Sequence, residues 1–164
     1  MDVGERPRAL RADRHPTRPL TPEAIEADYE AATKSGPERT SFAIYERATT
    51  RPIGTAGLRD INYAHGTGEL GMGIGEADCR GKGYGTEATR LLLDYAFDAL
   101  GLRNVLLRVY AYNERAIGAY RRAGFREIGR RRQAHRIGQQ SYDEVFMDCL
   151  ATDPREPLLP KLIP

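Results

Sequence analysis

The sequence predicts a single α/β domain in which helices flank a mixed, mostly antiparallel sheet. Three observations lead there. Between residues 41 and 75 three short strand-like stretches follow one another across tight turns, the pattern of sequential hairpins. The glycine-rich stretch Arg80-Gly81-Lys82-Gly83-Tyr84-Gly85 then opens directly onto a run with helical period. Beyond it come a strand, a second helical run and a closing pair of strands.

In chain order, residues 1–20 are rich in Arg and Pro, show no period and read as irregular. Thr21-Pro22-Glu23 reads as a helix start, with Thr21 as N-cap and Pro22 in the first helical position; Ile25, Tyr29 and Ala32 then share one face of a helix reaching Lys34. Residues 41–46 alternate as a strand, and 49–52 turn into a second strand over 53–63. A turn at 65–68 opens a third strand over 69–75. Ala88, Leu91, Leu92, Tyr95, Phe97 and Ala99 mark a long helix, closed by Gly101. Residues 104–112 form a strand. Asn113 caps a helix over 114–123 that stops at Gly124. Residues 125–136 and 140–150 form a final hairpin, and the Pro-rich tail from 152 onward is irregular. The domain proper is 21–151.

Composition excludes several classes. The 164 residues carry 25 basic and 23 acidic side chains, too even a balance for a strong nucleic-acid or membrane field. The basic run at 121–136 therefore reads as a solvated face, and an RNA-binding role is disfavoured. Cys79 and Cys149 are too few and too far apart for a zinc site or disulfide framework; they suit the cytoplasm, and no metal is expected. No apolar run reaches the ~20 residues of a membrane span, and residues 1–16 lack the hydrophobic core of a secretory signal. His15, His65 and His135 are isolated and read as surface histidines.

The glycine loop fits neither common nucleotide motif. A P-loop needs a glycine at position 76, where Glu76 stands, and a dinucleotide fingerprint starting at Gly81 needs one where Thr86 stands. What remains is a strand-to-helix turn whose N–H groups can converge on a diphosphate, aided by the partial positive charge of the helix start. Bare glycines permit close approach, and Arg80 and Lys82 add full charges. A solvated turn is the alternative.

The order of elements, with "GELGMGIGEADCRGKGYGTEA" (68–88) and "NERAIGAYRRAGF" (113–125), resembles the GNAT N-acetyltransferase superfamily, most closely its ribosomal-protein alanine and polyamine acetyltransferase branch. The resemblance covers roughly residues 40–150. It implies acetyl-CoA as cosubstrate and direct transfer to a primary amine in a ternary complex. The acceptor classes it leaves open are a protein N-terminus, a polyamine, an antibiotic or a small metabolite. It places the diphosphate on Arg80, Gly81, Lys82, Gly83, Tyr84, Gly85 and Thr86. The backbone of Met72 and Ile74 then takes the pantetheine and the carbonyl oxygen, where the third strand and strand 104–112 splay apart beside a bulge. Asn113 contacts CoA, and the Tyr120 hydroxyl serves the sulfur as donor or acid.

Such a transfer needs an unprotonated amine, a stabilised carbonyl oxygen and a proton for the departing thiolate. A side-chain amine with pKa ~10.4 needs a base more than an α-amine at ~7.8. Glu69 matches the branch's glutamate and is either that base, directly or through water, or a solvated strand-end carboxylate; Asp60 and Glu76 are weaker rivals. Asn113 and Tyr120 share a helix face, with a plain cap and plain core packing as their structural alternatives. Gly118 lies between them, where a close approach would explain a glycine.

The superfamily places a strand and helix before the predicted helix 22–34, so these elements are expected to be shortened or missing here. Strand 41–46 would then be a sheet edge, its Phe42 and Ile44 covered by a second copy in a homodimer. A CoA-binding module without catalysis, acting as sensor or partner subunit, is the rival reading.

Overall fold

The structure is a computed structural model describing residues 35–159. The predicted helix at 21–34, the irregular segment 1–20 and the expected shortening of the N-terminal elements lie outside the described residues.

Six strands form one sheet: β1 (Thr40–Tyr45), β2 (Pro52–Asn62), β3 (Thr67–Ile74), β4 (Asn104–Tyr110), β5 (Arg126–Ile137) and β6 (Gln140–Leu150). Their spatial order is β1-β2-β3-β4-β6-β5. β1, β2 and β3 pair antiparallel as the sequential hairpins predict. β4 joins β3 in parallel and takes β6 antiparallel on its other side. Helix α1 (Tyr84–Asp94) makes the crossover between β3 and β4, and α2 (Glu114–Ala123) connects β4 to β5.

Alternation along the strands sorts their side chains. Ala56, Leu58, Leu70, Met72, Val105, Leu107, Val109, Val145, Met147 and Cys149 point to one face, where they pack with Leu92, Leu93, Ala96 and Phe97 of the first helical segment and Ile117 and Tyr120 of α2. The opposite face carries Arg59, Glu69, Gly71, Gly73, Arg108, Tyr110 and Glu144, since cross-strand partners share a face: Arg59 lies opposite Glu69, and Tyr110 opposite Glu144. One face is thus the apolar core, and the other carries the paired charges of Arg59, Glu69 and Arg108.

Three details depart from the sequence reading. The helix predicted to run on to Gly101 changes character after Asp94. Residues Tyr95–Ala99 form a wide π turn, with Leu100 N–H bonding Tyr95 O at 3.1 Å, before Gly101 ends it at φ +65°. The bulge expected beside the splay lies instead in β2. Pairing of β2 with β3 is continuous from Gly54–Ile74 to Arg59–Glu69, and the register then shifts before Asn62–Thr67. Asp60 absorbs the extra residue at φ +51°, a conformation an aspartate tolerates better than most side chains. Finally, His135 is a buried side chain, stacked on Tyr110, rather than a surface histidine.

Candidate active site

β3 and β4 pair only over Thr67–Glu69 and Asn104–Leu106. Beyond that they part, so their C-terminal halves bound an open gap. Gly75 N–H bonds Ile53 O at 2.8 Å, and a Cβ on Gly54 would meet Gly73 O, so Gly73 and Gly75 turn their backbone groups toward β2. Alternation in an antiparallel ladder then points the backbone groups of Met72 and Ile74 the other way, into the gap. On the opposite face, a Cβ on Gly71 or Gly73 would meet nothing within 4 Å. The Met72 side chain lies on the core side, 3.1 Å from Thr89 Oγ1.

The turn from β3 to α1 is built by positive-φ glycines. Gly81 (+76°) and Gly83 (+88°) adopt a region costly for any side chain, and Gly83 is the N-cap of α1. As a glycine it offers no side-chain cap to the first-turn N–H groups. A Cβ on Gly81, Gly83 or Gly85 would enter open space. Bare donors at a helix N-terminus, flanked by uncrowded glycines, fit an anionic diphosphate. Arg80 folds back, its guanidinium donating to Ile74 O (3.4 Å) and Gly75 O (3.1 Å), so it ties the loop to the end of β3. Lys82 is exposed. The Tyr84 hydroxyl donates to Glu46 Oε1 at 2.8 Å, fastening the start of α1 to the β1–β2 turn. Thr86 lies half-buried in the first turn of α1.

Glu69 is buried, with 8% exposure, and is held by two arginines: Arg59 donates to Oε1, and so does Arg108 Nε at 3.0 Å. Burial pushes its carboxyl up, but the two guanidinium hydrogen bonds and charges outweigh this and leave its pKa below the ordinary value. Of its rivals, Asp60 sits in the β2 bulge, and Glu76 stands at the N-cap position of the short 3₁₀ turn after β3 without a side-chain capping bond. Asn113 is the N-cap of α2, its Oδ1 accepting from Ala116 N–H at 3.2 Å. Tyr120 is buried against Phe125, ring edge to face. Gly118 is approached by the Arg122 guanidinium at 3.4 Å from an added Cβ, a contact within α2 itself.

Sequence reasoning missed Arg59 and Arg108, the partners of Glu69, and the ring cluster at the far end of β4, where Tyr110, Tyr112, Tyr142 and His135 meet. The only signal was Arg108 and Tyr110 alternating with apolar neighbours in β4. The basic run 121–136 lies on the end of α2 and on edge strand β5, with Arg121 and Arg130 both paired to Glu127. Among the described residues no three His, Cys, Asp or Glu side chains gather as metal ligands would, and no helix is long and apolar enough to cross a membrane.

Comparison with known proteins agrees with this geometry. An uncharacterized N-acetyltransferase, p20, of Bacillus licheniformis is 32% identical over 88 residues, 54% of this chain and 49% of that protein. The spermidine N(1)-acetyltransferase of Escherichia coli is 39% identical over 72 residues, 44% of this chain and 38% of the enzyme. The matched stretch thus spans half or less of the length of these curated relatives. Vibrio cholerae spermidine N-acetyltransferase, solved in complex with CoA and spermine, superposes with a TM-score of 0.70 at 26% identity, covering 80% of this chain and 76% of that one; the same enzyme has also been solved as a dodecamer. The model of the acetyltransferase (GNAT) domain matches residues 4–126, and so includes the N-terminal segment. With three quarters of its length under that match, the chain belongs to the GNAT acetyltransferase family.

Proposed function

We propose that the protein is an acetyl-CoA-dependent N-acetyltransferase that moves an acetyl group directly to a primary amine. The observation that carries this is the gap between β3 and β4. It has backbone donors of Met72 and Ile74 on one wall, and the glycine-lined N-terminus of α1 stands beside it. Acetyl-CoA would supply the activated thioester. Residues 80–86 hold its diphosphate, chiefly through backbone N–H groups, and Asn113 adds a contact at the start of α2. The Met72 and Ile74 backbone holds the pantetheine and the thioester oxygen as charge develops there. The amine nitrogen bonds to the acetyl carbon, the carbon–sulfur bond breaks, the amine proton leaves to water or Glu69, and Tyr120 donates a proton to the thiolate.

Two guanidiniums hold Glu69 ionised at neutral pH, which keeps it an acceptor but lowers its driving force as a base. Transfer through a bridging water suits such a carboxylate best. Polyamines are the first acceptors to test, since the V. cholerae neighbour binds spermine. We place the protein in the cytoplasm, in keeping with two free, buried cysteines. Two chains pair through the β1 edge.

Thiol release from acetyl-CoA with spermidine, a monoamine and an N-terminal peptide, followed by product mass, tests the reading. We expect a gain of 42 Da, about one acetyl group by its chemistry, on at least one amine. Tyr120→Phe should lower kcat with acetyl-CoA affinity nearly intact. Tight acetyl-CoA binding without turnover on any amine would leave a cofactor-binding module instead.

A further inference from the structure

The glycine loop before α1 is built from residues that hold no shape of their own. Gly81 and Gly83 stand at positive φ, and an added Cβ at either meets nothing within 4 Å. Glycine loses more backbone freedom on ordering than any other residue. A loop of this composition therefore binds an anion well only if something outside it fixes its course beforehand. Two side chains of the β1–β2 turn reach it, one at each end.

The turn itself is tightly closed. Glu46 N–H bonds Arg51 O at 2.9 Å, and Thr50 N–H bonds Glu46 O at 2.8 Å, with Thr50 at φ +54°. Thr49 Oγ1 donates to Glu46 Oε2 at 2.6 Å and accepts from Arg51 N–H at 3.3 Å. Glu46 and Arg51 thus leave from one shared base. From it, Glu46 accepts the Tyr84 hydroxyl at 2.8 Å, where α1 begins. Arg51 reaches the other end of the loop. Its Nη2 donates to Asp78 Oδ2 at 2.6 Å and to Cys79 Sγ at 2.9 Å, in the 3₁₀ turn that precedes the glycines. Residues 80–83 are therefore spanned between two anchors set in a single turn.

The Arg51 contact is more than a surface ion pair. A pair between side chains 42% and 61% exposed contributes little by itself. The same nitrogen, however, also meets the sulfur of Cys79, which is 1% exposed, so the guanidinium is fixed against a buried point as well as an exposed charge. We propose that Arg51 is a positioning residue for the cofactor. With Glu46 it holds both ends of the loop, so that the N–H groups at the start of α1 stand in place before the diphosphate arrives. This rests on the acetyltransferase reading and adds to it a residue outside the loop that sets cofactor affinity.

Calorimetry with two probes tests it: acetyl-CoA, and S-acetylpantetheine, which carries the thioester arm without the diphosphate. Arg51→Met keeps much of the stem and removes the donors. It should weaken acetyl-CoA about threefold to tenfold, the cost of ordering a freed segment on binding, and leave S-acetylpantetheine unchanged. Arg51→Lys keeps a cation able to reach Asp78 and should recover most of that loss. A merely structural role would instead lower stability in urea denaturation, with the two probes bound as in the wild type or weakened alike. Glu46→Ala frees the other end of the loop and should reproduce the Arg51→Met pattern; it keeps the test open if the Met variant folds poorly. Wild-type affinity for acetyl-CoA in both variants, or equal weakening of the two probes, overturns the proposal while the acetyltransferase reading stands. A wild-type protein that binds no acetyl-CoA overturns that reading, and the proposal with it.

Discussion

Gly85 separates folding from function more cleanly than any other residue. It lies in the first turn of α1 with ordinary helical backbone, and an added Cβ meets nothing within 4 Å. Glycine in a helix is less favourable than alanine by about 0.5–1 kcal/mol. Gly85→Ala should therefore raise stability by about that amount in urea denaturation; if residues 80–86 hold the diphosphate as proposed, it should also weaken acetyl-CoA at least tenfold by calorimetry, because the methyl group would stand in the space left for that group. Gly83→Ala should instead destabilise by about 1–2 kcal/mol, since alanine resists φ +88°. Glu69 gives a second residue-scale expectation, in pH. Its folded pKa lies below the unfolded value, so the stability from its ion pairs is fully present above the unfolded value and is lost as pH falls through the folded one. Glu69→Gln should cost about 1–2 kcal/mol at pH 7, discounted because Arg59 and Arg108 are partly exposed. The gap to the wild type should begin to narrow as pH falls through the ordinary carboxyl value of ~4.3 and close only below the lowered folded one. A gap that stays constant down to pH 3 would mean the carboxylate is not held by charge.

The π turn after α1 is tied to a segment far along the chain. Asp94, with 1% exposure, ends α1 and accepts from Arg155 and from the backbone N–H groups of Leu158 (2.5 Å) and Leu159 (2.8 Å). Arg155 also reaches Asp98 at 3.4 Å and lies over the Phe97 ring at 4.9 Å. The irregular tail is thereby strapped across the end of the helix. Removing a buried acid from its guanidinium strands the remaining charge, so Asp94→Ala should cost about 3–5 kcal/mol. Chemical denaturation checks this. Arg155→Met, which keeps much of the contact with Phe97 but not the charge, should cost less only if packing on the ring carries part of the strap. β2 offers the contrasting case of a local device: the bulge at Asp60 needs one residue at φ +51°, so Asp60→Gly should be neutral or slightly stabilising and Asp60→Val destabilising by about 1–2 kcal/mol.

At the scale of the whole molecule, β1 is the sheet edge among the described residues, and Phe42 is 43% exposed although its ring meets Tyr95 edge to face at 5.2 Å. An unpaired edge with exposed aromatic rings favours association. Light scattering should find a dimer or larger assembly, and Phe42→Lys should shift it toward monomer; a wild-type monomer at high micromolar concentration rejects the edge as an interface. The hairpin order, the crossover helix and its glycine loop, and the Asn113-capped α2 were legible in the sequence, because each rests on local rules: alternation, helical period, caps and the glycine requirement at positive φ. The candidate cofactor residues, Met72, Ile74, Arg80, Gly81, Lys82, Gly83, Tyr84, Gly85, Thr86, Asn113 and Tyr120, came from the family resemblance together with the glycines and helix ends that a backbone-built anion site requires. The partners of Glu69, the burial of His135 and the strap on Asp94 were not legible. Each joins residues separated by at least ten positions along the chain, and cross-strand register, which no local pattern encodes, decides which side chains share a face. The sequence by itself determined the elements and the glycine-built turn before α1; only the tertiary structure decided which charges are neutralised, because burial and pairing arise when distant strands close on one another.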